Sequence, residues 1–270
     1  MYLYGDMTMG EITRETGCDD RNLRRWIKRW STVDACLLNK HISEKLLRAH
    51  QPSEFEGRYK KPIATLVDGT AVKIETFRGN CYLKRATYCN KVKANAVQGL
   101  AWASACGLLL VWTSLFCGRL SETAMGRLHG QLLDGFPAGW ARLVDRGFAQ
   151  LTAAYKNLLQ GYYPAFVRDG KISASGANDS KKQSQDRYVV ETFFSRVKHW
   201  SRLSGVAKWA WFPYLEHIWV CALSNTDLRF PLRLPNNWDS LEQEVKKLRD
   251  RFTSALADSN SLPWFMQTRS

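Results

Sequence analysis

Apolar side chains near the start of the chain recur at three- and four-residue intervals, which is the spacing of one helix face. Residues 7–30 therefore predict a helix, a turn at Gly17 and a second helix whose cap is Asp19 or Asp20. The inner apolar positions of this second helix are Leu23, Trp26 and Ile27. A further helix is expected over 33–49, followed by a polar linker. Thr13, Gly17, Leu23 and Trp26 stand at the spacing that a DNA-binding helix-turn-helix uses for its inner packing. Any short helical hairpin would show the same spacing.

After the linker, the pattern changes to short runs of β-branched and apolar residues separated by turn residues. The runs IATLVDGT and AVKIET predict a first pair of strands. The next segment, 94–118, contains no charged residue and predicts two buried strands, 96–104 and 108–116, joined by a turn at Cys106-Gly107. A transmembrane helix is the alternative for this segment, but its polar residues and central glycine favour the strands.

Helices and strands alternate along the rest of the chain. The predicted elements are a helix at 121–134, the strand ARLVD, a helix at 149–160, the strand YYPAFVR, a loop rich in Lys, Ser, Asn and Gly, a long helix at 182–203 and a helix at 213–224. This order is typical of an α/β fold with a mixed sheet flanked by helices. The expected organisation is a helical region with its linker at 1–60, an α/β core at 61–234, and a peripheral helix (239–256) with a tail at 235–270.

The net charge of +14 indicates a polyanionic partner. Lys and Arg exceed Asp and Glu by 12 within residues 61–234 but only by 2 within residues 1–60. The excess therefore belongs to the core and not to a basic tail. A phosphate-binding face is the favoured interpretation, and a basic surface kept for solubility is the alternative.

Two basic segments are candidates for nucleic-acid contact. The second N-terminal helix carries basic and amide side chains where a recognition helix has them. They are Arg21, Asn22, Arg24, Arg25, Lys28 and Arg29. The segment 75–93 interleaves Lys and Arg with Phe77, Tyr82 and Tyr88, which is typical of a surface that contacts a nucleic-acid strand. A solvated loop whose rings enter the core is an equal alternative.

Three carboxylates stand where a fold of this order would gather them. Asp68 ends the strand IATLV, Asp145 ends the strand ARLV, and Glu191 lies within the long helix. Converging carboxylates repel one another unless cations neutralise them, and oxygen ligands of this kind suit Mg²⁺ or Mn²⁺. Two such ions would activate a water or a 3′-hydroxyl and stabilise the leaving oxygen of a phosphodiester.

Each carboxylate also has a purely structural interpretation. Asp68-Gly69 between two strands is a strong hairpin-turn signal. Asp145 would serve equally well to start a turn or to cap a helix. Glu191 forms an i, i+4 pair with Arg187 on a helix face. The order of all three along the predicted elements favours the metal site.

The long helix places several charged side chains on one face. Arg187, Glu191 and Lys198 stand at intervals of four and seven residues. Beside a metal site, Lys198 would meet DNA phosphates, and Arg187 and Arg146 are further candidates for such contacts. An amphipathic helix that only keeps the protein soluble would show the same spacing.

An ordered set of motifs in the core resembles the DDE superfamily endonucleases, which include Harbinger-like transposases and bacterial insertion-sequence enzymes. The motifs are LVDGTAVKIE, TYCNKVKANAVQGL, GRLSET, LVDRGF, RYVVETFFSRVKHW and VCALSNTDLRFPLR, within about residues 61–233. Relatives usually carry Arg directly after the helical Glu, whereas this chain has Thr192, a departure expected to weaken a secondary phosphate contact but not the triad itself. No zinc-finger module is recognisable in the N-terminal region, and a helix-turn-helix takes its place.

The resemblance implies an RNase H-like core in which Asp68, Asp145 and Glu191 hold Mg²⁺ or Mn²⁺ as a DDE triad. It also implies a DNA transposase that binds transposon terminal inverted repeats and target DNA, acts as a homo-oligomer on DNA, and has no membrane partner. The alternatives are a transposase-derived DNA-binding protein without catalysis, and an RNase H-like nuclease without strand transfer.

The cysteines and the first residues bear on localisation. Seven cysteines without a C-x-x-C pair give no zinc motif, and no secretory segment is visible at the start of the sequence. These features favour a reducing intracellular compartment. For a transposase, that compartment is the nucleus of a eukaryote, or the cytoplasm or nucleoid of a bacterium.

Overall fold

A long central strand organises the fold. The computed structural model describes residues 13–14, 19–38, 41–55, 57–128, 136–148, 160–162 and 173–227, and positions 243, 246, 247, 250 and 254. Within these residues the α-helices are α1 (Asp20–Leu38), α2 (Glu44–Ala49), α3 (Cys81–Thr87), α4 (Glu122–Leu128), α5 (Ala174–Val197), α6 (Ser201–Ser204) and α7 (Leu215–Asp227). The strands are β1 (Ile63–Ile74), β2 (Tyr88–Cys89), β3 (Ala94–Ala103), β4 (Leu109–Trp112), β5 (Phe116–Cys117), β6 (Ala141–Leu143), β7 (Gln160–Tyr162) and β8 (Val206–Ala207). Short 3₁₀-helices cover Ser53–Phe55, Arg146–Phe148 and Trp209–Tyr214.

The sheet is mixed, as the alternation of strands and helices predicts. Its main order is β2-β3-β1-β6-β7, while β4 and β5 also pair with β3, and β8 pairs with β1. β3 is antiparallel to β1, whereas β6 runs parallel beside the first half of β1 and β8 runs parallel beside its end. The pairing with β6 stops at Leu66 and the pairing with β8 starts at Lys73. In the described sheet, the edge of β1 between these residues is therefore open.

Helices cover both faces of the sheet. On one face, α5 and α7 contribute Val190, Phe193, Ile218 and Trp219 to a large apolar cluster. A second cluster, on the opposite face, contains Met125 of α4 and side chains from α2. Because apolar burial is the main favourable contribution to folding, the sheet is fixed between two hydrophobic layers and its strand register is well determined.

β1 is one continuous strand where the sequence predicted two. Its residues pair with β3 without a break from Leu66 to Lys73. Asp68-Gly69 is therefore not a hairpin turn. The prediction that a strand ends at Asp68 is wrong, because β1 continues beyond it to Ile74. The long antiparallel partner supplies hydrogen bonds on both sides of Gly69, and this pairing outweighs the local turn preference of Asp-Gly.

The uncharged segment forms antiparallel strands with a turn, as predicted. β3 pairs with β4, and the turn contains Gly107 at a φ of +96°, a conformation that favours glycine. The N–H of Gly107 donates to the carbonyl of Ser104 at 2.9 Å. The second predicted strand is divided, because its last part forms β5 and pairs with β3 separately. In the part of the chain that the structure describes, a membrane-crossing helix is absent, since none combines sufficient length with sufficient hydropathy.

α1 is longer than the second N-terminal helix predicted from the sequence. Asp19 Oδ1 accepts the N–H of Asn22 at 3.0 Å, which confirms the predicted cap. The helix continues to Leu38, and α2 begins separately at Glu44. The single helix expected over 33–49 is therefore wrong, because its first residues continue α1.

One face of α1 packs against α7 and the segment before it. Ile27 and Leu38 are buried, and the Ser31 hydroxyl lies 2.6 Å from Nδ1 of His217. The side chains of Leu23 and Trp26 lie outside the described part of the chain. Residues 7–12 and 15–18, which hold most of the predicted first helix and its turn, also lie outside it. The helix-turn-helix therefore stays a prediction.

α5 begins and ends earlier than predicted. Ser173 caps the helix by accepting the N–H of Gly176 at 3.0 Å, so the second half of the predicted polar loop is helical. The helix ends at Val197, and a turn separates it from α6. α4 and α7 match two of the other predicted helices. The predicted helix at 149–160 lies outside the described residues except for Gln160, which begins β7 instead. Most of YYPAFVR and of the C-terminal helix also lie outside them.

A buried ion pair attaches α5 to the segment before β1. The carboxylate of Asp186 is 2% exposed and accepts two hydrogen bonds from Arg58 Nη1, at 2.6 and 2.8 Å. The hydroxyl of Tyr59 donates a third at 2.7 Å. Because a buried carboxylate is stable only with such partners, this contact fixes the position of α5 along the sheet at the residue that precedes Arg187.

Gly99 is expected to tolerate no side chain. A Cβ atom there would lie 2.6 Å from Cζ2 of Trp219, whose indole N–H donates to the carbonyl of Thr113 at 2.9 Å. Gly99→Ala should therefore lower the free energy of unfolding by about 1–3 kcal/mol in urea denaturation. In a Trp219→Phe background the same substitution should cost less, because the smaller ring leaves space. Equal costs in the two backgrounds would contradict the contact.

Candidate active site

Asp68 and Asp145 lie side by side because of how β1 and β6 pair. The strands are parallel, with Leu66 beside Leu143, and each aspartate follows two residues later along its chain. Alternate residues of a strand point to the same face. Leu66 and Leu143 both belong to the apolar cluster beneath α5 and α7, so Asp68 is directed to that face, at the open part of the β1 edge. Asp145 lies two residues beyond the end of β6 and reaches the same place, as its contact with Arg187 of α5 shows.

The side chain of Arg187 connects the two aspartates. Its Nη2 lies 3.5 Å from Asp68 Oδ1, and its Nη1 lies 3.7 Å from Asp145 Oδ1. These distances are longer than those of typical hydrogen bonds. The attraction is therefore ionic, and no close hydrogen bond fixes Arg187 to either aspartate. The N–H of Gly69 separately donates to Asp68 Oδ1 at 2.8 Å. Two like charges on adjacent strands thus share one nearly buried guanidinium.

Glu191 follows Arg187 by one turn of α5 and borders the same cleft as Asp68. The cleft has a volume of about 610 Å³ and is also lined by Lys91 and Lys198. The carboxylate of Glu191 is exposed, whereas that of Asp68 is largely covered. The structure therefore brings two of the predicted carboxylates together and places the third at the rim of the cleft beside them.

A protein cation, Arg187, lies beside two of the three carboxylates in this arrangement, those of Asp68 and Asp145. Among the described residues, no three His, Cys, Asp or Glu side chains gather closely enough to hold a metal ion. The expected convergence is thus incomplete, because Arg187 lies between the aspartates and Glu191 stays at the rim. The donor chemistry fits a hard divalent cation, since Asp68 shares Arg187 with Asp145 and shares the cleft with Glu191, and all three offer carboxylate oxygens.

Lys91 and Glu122 form an ion pair beside Asp68 that the sequence did not assign to the site. Lys91 Nζ donates to Glu122 Oε1 at 2.8 Å and to the carbonyl of Gly69 at 3.2 Å. Desolvation lowers the pKa of Lys91, but Glu122, Asp68 and Asp145 outweigh it, so the pKa is raised. The partners are 31 residues apart, and no local pattern marks such a pair. The only signal in the sequence is that Lys91 belongs to the motif TYCNKVKANAVQGL and Glu122 to the motif GRLSET.

Lys198 lines the cleft at the end of α5. Desolvation lowers its pKa, and the positive charges of Lys91 and Lys73 lower it further, while Asp68 acts in the opposite direction. Lys91, Lys73 and Asp68 therefore all lie close enough to Lys198 to affect its pKa. A cleft with this charge suits a phosphate group, which would reduce the repulsion among the lysines.

The predicted DNA-binding residues of α1 divide between two faces. Arg24 is directed to the core: its Nε donates to Asp20 Oδ2 at 2.7 Å, and its guanidinium lies 5.3 Å from the ring centre of Tyr214 and donates to the hydroxyl. The others are exposed, and they are Arg21, Asn22, Arg25, Lys28 and Arg29. Arg24 thus attaches α1 to the core, and a basic surface remains on the opposite side of the helix.

The structure describes only some of the other residues that were predicted to contact nucleic acid. Arg146 begins the 3₁₀-helix after Asp145, and its side chain lies outside the described part of the chain. In the segment 75–93, Tyr82 is 80% exposed. Phe77 instead packs edge-on against Phe212, with ring centres 5.9 Å apart. Tyr88 is also exposed, at 44%, so the surface interpretation holds for two aromatic side chains of this segment and the core interpretation for Phe77.

Comparison with known proteins identifies a family for the core. A family model described as DDE superfamily endonuclease matches residues 67–225, more than half of the chain. This range includes Asp68, Asp145 and Glu191 and ends within α7. No curated protein and no solved structure matches the chain significantly.

Lys198 provides a test of the cleft's electrostatics. Its folded-state pKa lies below that of the unfolded chain, so the protonated lysine destabilises the fold at neutral pH, and this cost disappears as the pH rises through the lowered pKa towards about 10.5. Lys198→Met should therefore be more stable than the parent at pH 7, and its advantage should shrink at pH 10. The free energies of unfolding in urea at both pH values measure this.

The matched control is Lys181→Met, an exposed lysine of the same helix, which should change stability little at either pH. A loss of stability in Lys198→Met that is equal at pH 7 and pH 10 would contradict the lowered pKa.

Proposed function

The chain belongs to the DDE superfamily endonucleases, and from this membership we propose that it is a DNA transposase that binds transposon ends and performs metal-dependent strand cleavage and strand transfer. The observation that carries the proposal is the parallel pairing of β1 and β6, which sets Asp68 beside Asp145 on the face covered by α5, the helix of Glu191. This arrangement of two strand carboxylates and one helical carboxylate is what an RNase H-like catalytic core requires.

In this proposal, Asp68, Asp145 and Glu191 hold Mg²⁺ or Mn²⁺, two ions in the full site. When bound, the metal supplies Lewis acidity, which helps deprotonate an attacking water or 3′-hydroxyl and stabilises the leaving oxygen of the phosphodiester. The chain's own contribution is to fix the carboxylates. β1 and β6 set the spacing of the two aspartates, and the hydrogen bond from the Gly69 N–H orients Asp68.

Arg187 offsets the repulsion between the two aspartates in the absence of other cations. Its long ionic contacts, at 3.5 and 3.7 Å, leave carboxylate lone pairs available to a metal ion. A guanidinium released from the aspartates would be a good partner for a phosphate, because it forms paired hydrogen bonds to phosphate oxygens. Arg187 would therefore have a role both without metal, as the partner of the aspartates, and with metal bound, as a partner of the DNA phosphate.

The basic side chains of the cleft bind the DNA backbone. Lys198 and Lys91 line the cleft together with Ser195 and His199, so a phosphodiester lying across Asp68 would be bordered by positive charge. The basic surface of α1 supplies contacts farther along the duplex and would recognise the terminal repeats. Symmetric transposon ends imply a homo-oligomer on DNA, with one protomer at each end.

Replacement of one aspartate should separate binding from chemistry. Asp145→Asn removes a metal-binding charge at nearly constant size, so cleavage of labelled terminal-repeat DNA in Mg²⁺ should fall by several orders of magnitude while DNA binding remains. The matched control is Asp179→Asn, an exposed aspartate of α5, which should cleave like the parent. Equal DNA cleavage by Asp145→Asn and by the parent would contradict the catalytic role of Asp145 and favour a non-catalytic DNA-binding protein. Cleavage by the parent without joining of the cut strand to a 3′-hydroxyl acceptor would indicate a nuclease without strand transfer.

The exposed face of α1 should account for part of the affinity of the protein for DNA. In the double variant Arg25→Ala and Lys28→Ala, the loss of two phosphate contacts should reduce the slope of log affinity against log salt by about 1.8. Cleavage at saturating DNA should stay near that of the parent, since neither residue borders the cleft. Fluorescence anisotropy over a salt series measures the slope.

The control for this experiment is Arg48→Ala, an exposed arginine of α2 that pairs with Glu44. It should leave the salt slope unchanged. An unchanged slope in the double variant would exclude α1 as a DNA-binding surface.

A further inference from the structure

The first turn of α4 contacts the backbone directly after both aspartates. Glu122 lies beside Gly69, which follows Asp68, and it also approaches Gly147, two residues after Asp145. The next residue, Thr123, donates its hydroxyl to the carbonyl of Gly147 at 2.7 Å. One short stretch of chain therefore touches the backbone that follows each of the two aspartates.

Lys91 completes the connection on the Asp68 side. Its ammonium group bonds at once to Glu122 Oε1, at 2.8 Å, and to the carbonyl of Gly69, at 3.2 Å. The chain from β1 is thus linked to α4 through Lys91, and α4 is linked to the segment after β6 through Thr123. These contacts bridge the part of the β1 edge that pairs with neither β6 nor β8.

The glycine after Asp68 permits this close approach. A Cβ atom at Gly69 would lie 2.7 Å from Glu122 Oε1, and one at Gly147 would lie 3.5 Å from Glu122 Oε2. The Glu122 carboxylate therefore fills the space between the two glycines. The side chain of Glu122 is 17% exposed and that of Lys91 is 54% exposed, so solvent reaches the pair only from the lysine side and its electrostatic contribution is modest.

We propose that Glu122 is a positioning residue of the site, which acts through Lys91 and together with Thr123 to hold the strand segment after Asp68 against the segment after Asp145. This contact, the α4 brace, is defined by Lys91, Glu122 and Thr123. It fixes the separation of the two aspartates, and by neutralising Lys91 it keeps that ammonium from competing for their carboxylates. The inference rests on the proposed function, since it assigns the brace to a metal site.

The two roles of Glu122 are separable by mutation. Glu122→Gln is nearly isosteric but no longer neutralises Lys91, so the freed ammonium would turn to Asp68 and oppose metal binding. Combining it with Lys91→Met removes that competitor but leaves the segments after the two aspartates unbraced. Metal affinity should therefore be weakened in the single variant and recovered only in part in the double variant, whereas the order of the two backbone segments should be lost in both.

The first measurement is backbone hydrogen exchange in the full chain without metal or DNA. Peptides that cover Gly69 and Gly147 should exchange faster in Glu122→Gln, by about tenfold. Thr123→Val should accelerate the Gly147 peptide alone, by about fivefold for one lost hydrogen bond. Unchanged exchange at both glycines in Glu122→Gln would overturn the proposal. A general loss of structure would accelerate the β3 and α7 peptides as well, and Glu122→Asp then repeats the test with the charge retained.

The second measurement is the affinity for Mn²⁺, followed by electron paramagnetic resonance. Glu122→Gln should weaken Mn²⁺ binding by about 10- to 100-fold, as loss of a residue that supports metal ligands does. The double variant with Lys91→Met should recover only part of this affinity and stay about 3- to 10-fold weaker than the parent, because its aspartates are no longer held in position. The control Lys84→Met changes an exposed lysine of α3 and should have no effect. Unchanged affinity in Glu122→Gln would overturn the positioning role.

The two measurements distinguish this inference from the proposed function. A parent chain that neither binds Mn²⁺ nor cleaves DNA would refute the metal-dependent nuclease. Exchange alone would then decide whether the α4 brace exists. A parent that binds Mn²⁺, with a Glu122→Gln variant that binds it equally well, would leave the nuclease standing and refute the brace.

Discussion

The ionic contact of one buried guanidinium with two carboxylates is the constraint on which this site depends. Asp68 and Asp145 are adjacent because β1 and β6 are parallel and in register, and without a shared cation their charges would repel. Arg187 would be equally costly to bury without them. The preceding residue, Asp186, is anchored to Arg58 and Tyr59, so α5 has little freedom to slide along the sheet. The position of Glu191 at the rim of the cleft follows from the same anchor.

The cleft exists because the sheet is incomplete at that point. β6 leaves β1 after Leu66, and β8 joins it only at Lys73. A strand filling this interval would cover Asp68 and close the site. The α4 brace provides an alternative connection, since its side chains link the middle of β1 to the segment after β6 without adding a strand. The edge thus stays accessible to a ligand while the backbone on both sides of it is held.

Sequence patterns predicted those parts of this structure that depend on neighbouring residues. The uncharged strands of β3 and β4, their turn at Gly107 and the Asp19 cap all have local causes. The continuity of β1 through Asp68-Gly69 was missed, because it depends on a partner strand about thirty residues away. The early start of α5 follows from a cap at Ser173 within a polar segment that otherwise resembles a loop. For the site, the order of the carboxylates was predictable, whereas the Lys91–Glu122 pair has no local signature.

The positive charge of the core has a specific consequence for the proposed chemistry. Arg187 and Lys91 are each paired with acidic groups in the structure, and Lys198 has a lowered pKa among other lysines. A divalent cation and a phosphodiester therefore suit the cleft together better than either does alone. The metal would release Arg187 from the aspartates, and the phosphate would compensate the charge that this release creates. Metal and DNA should accordingly bind with positive coupling, which is reciprocal by thermodynamic linkage.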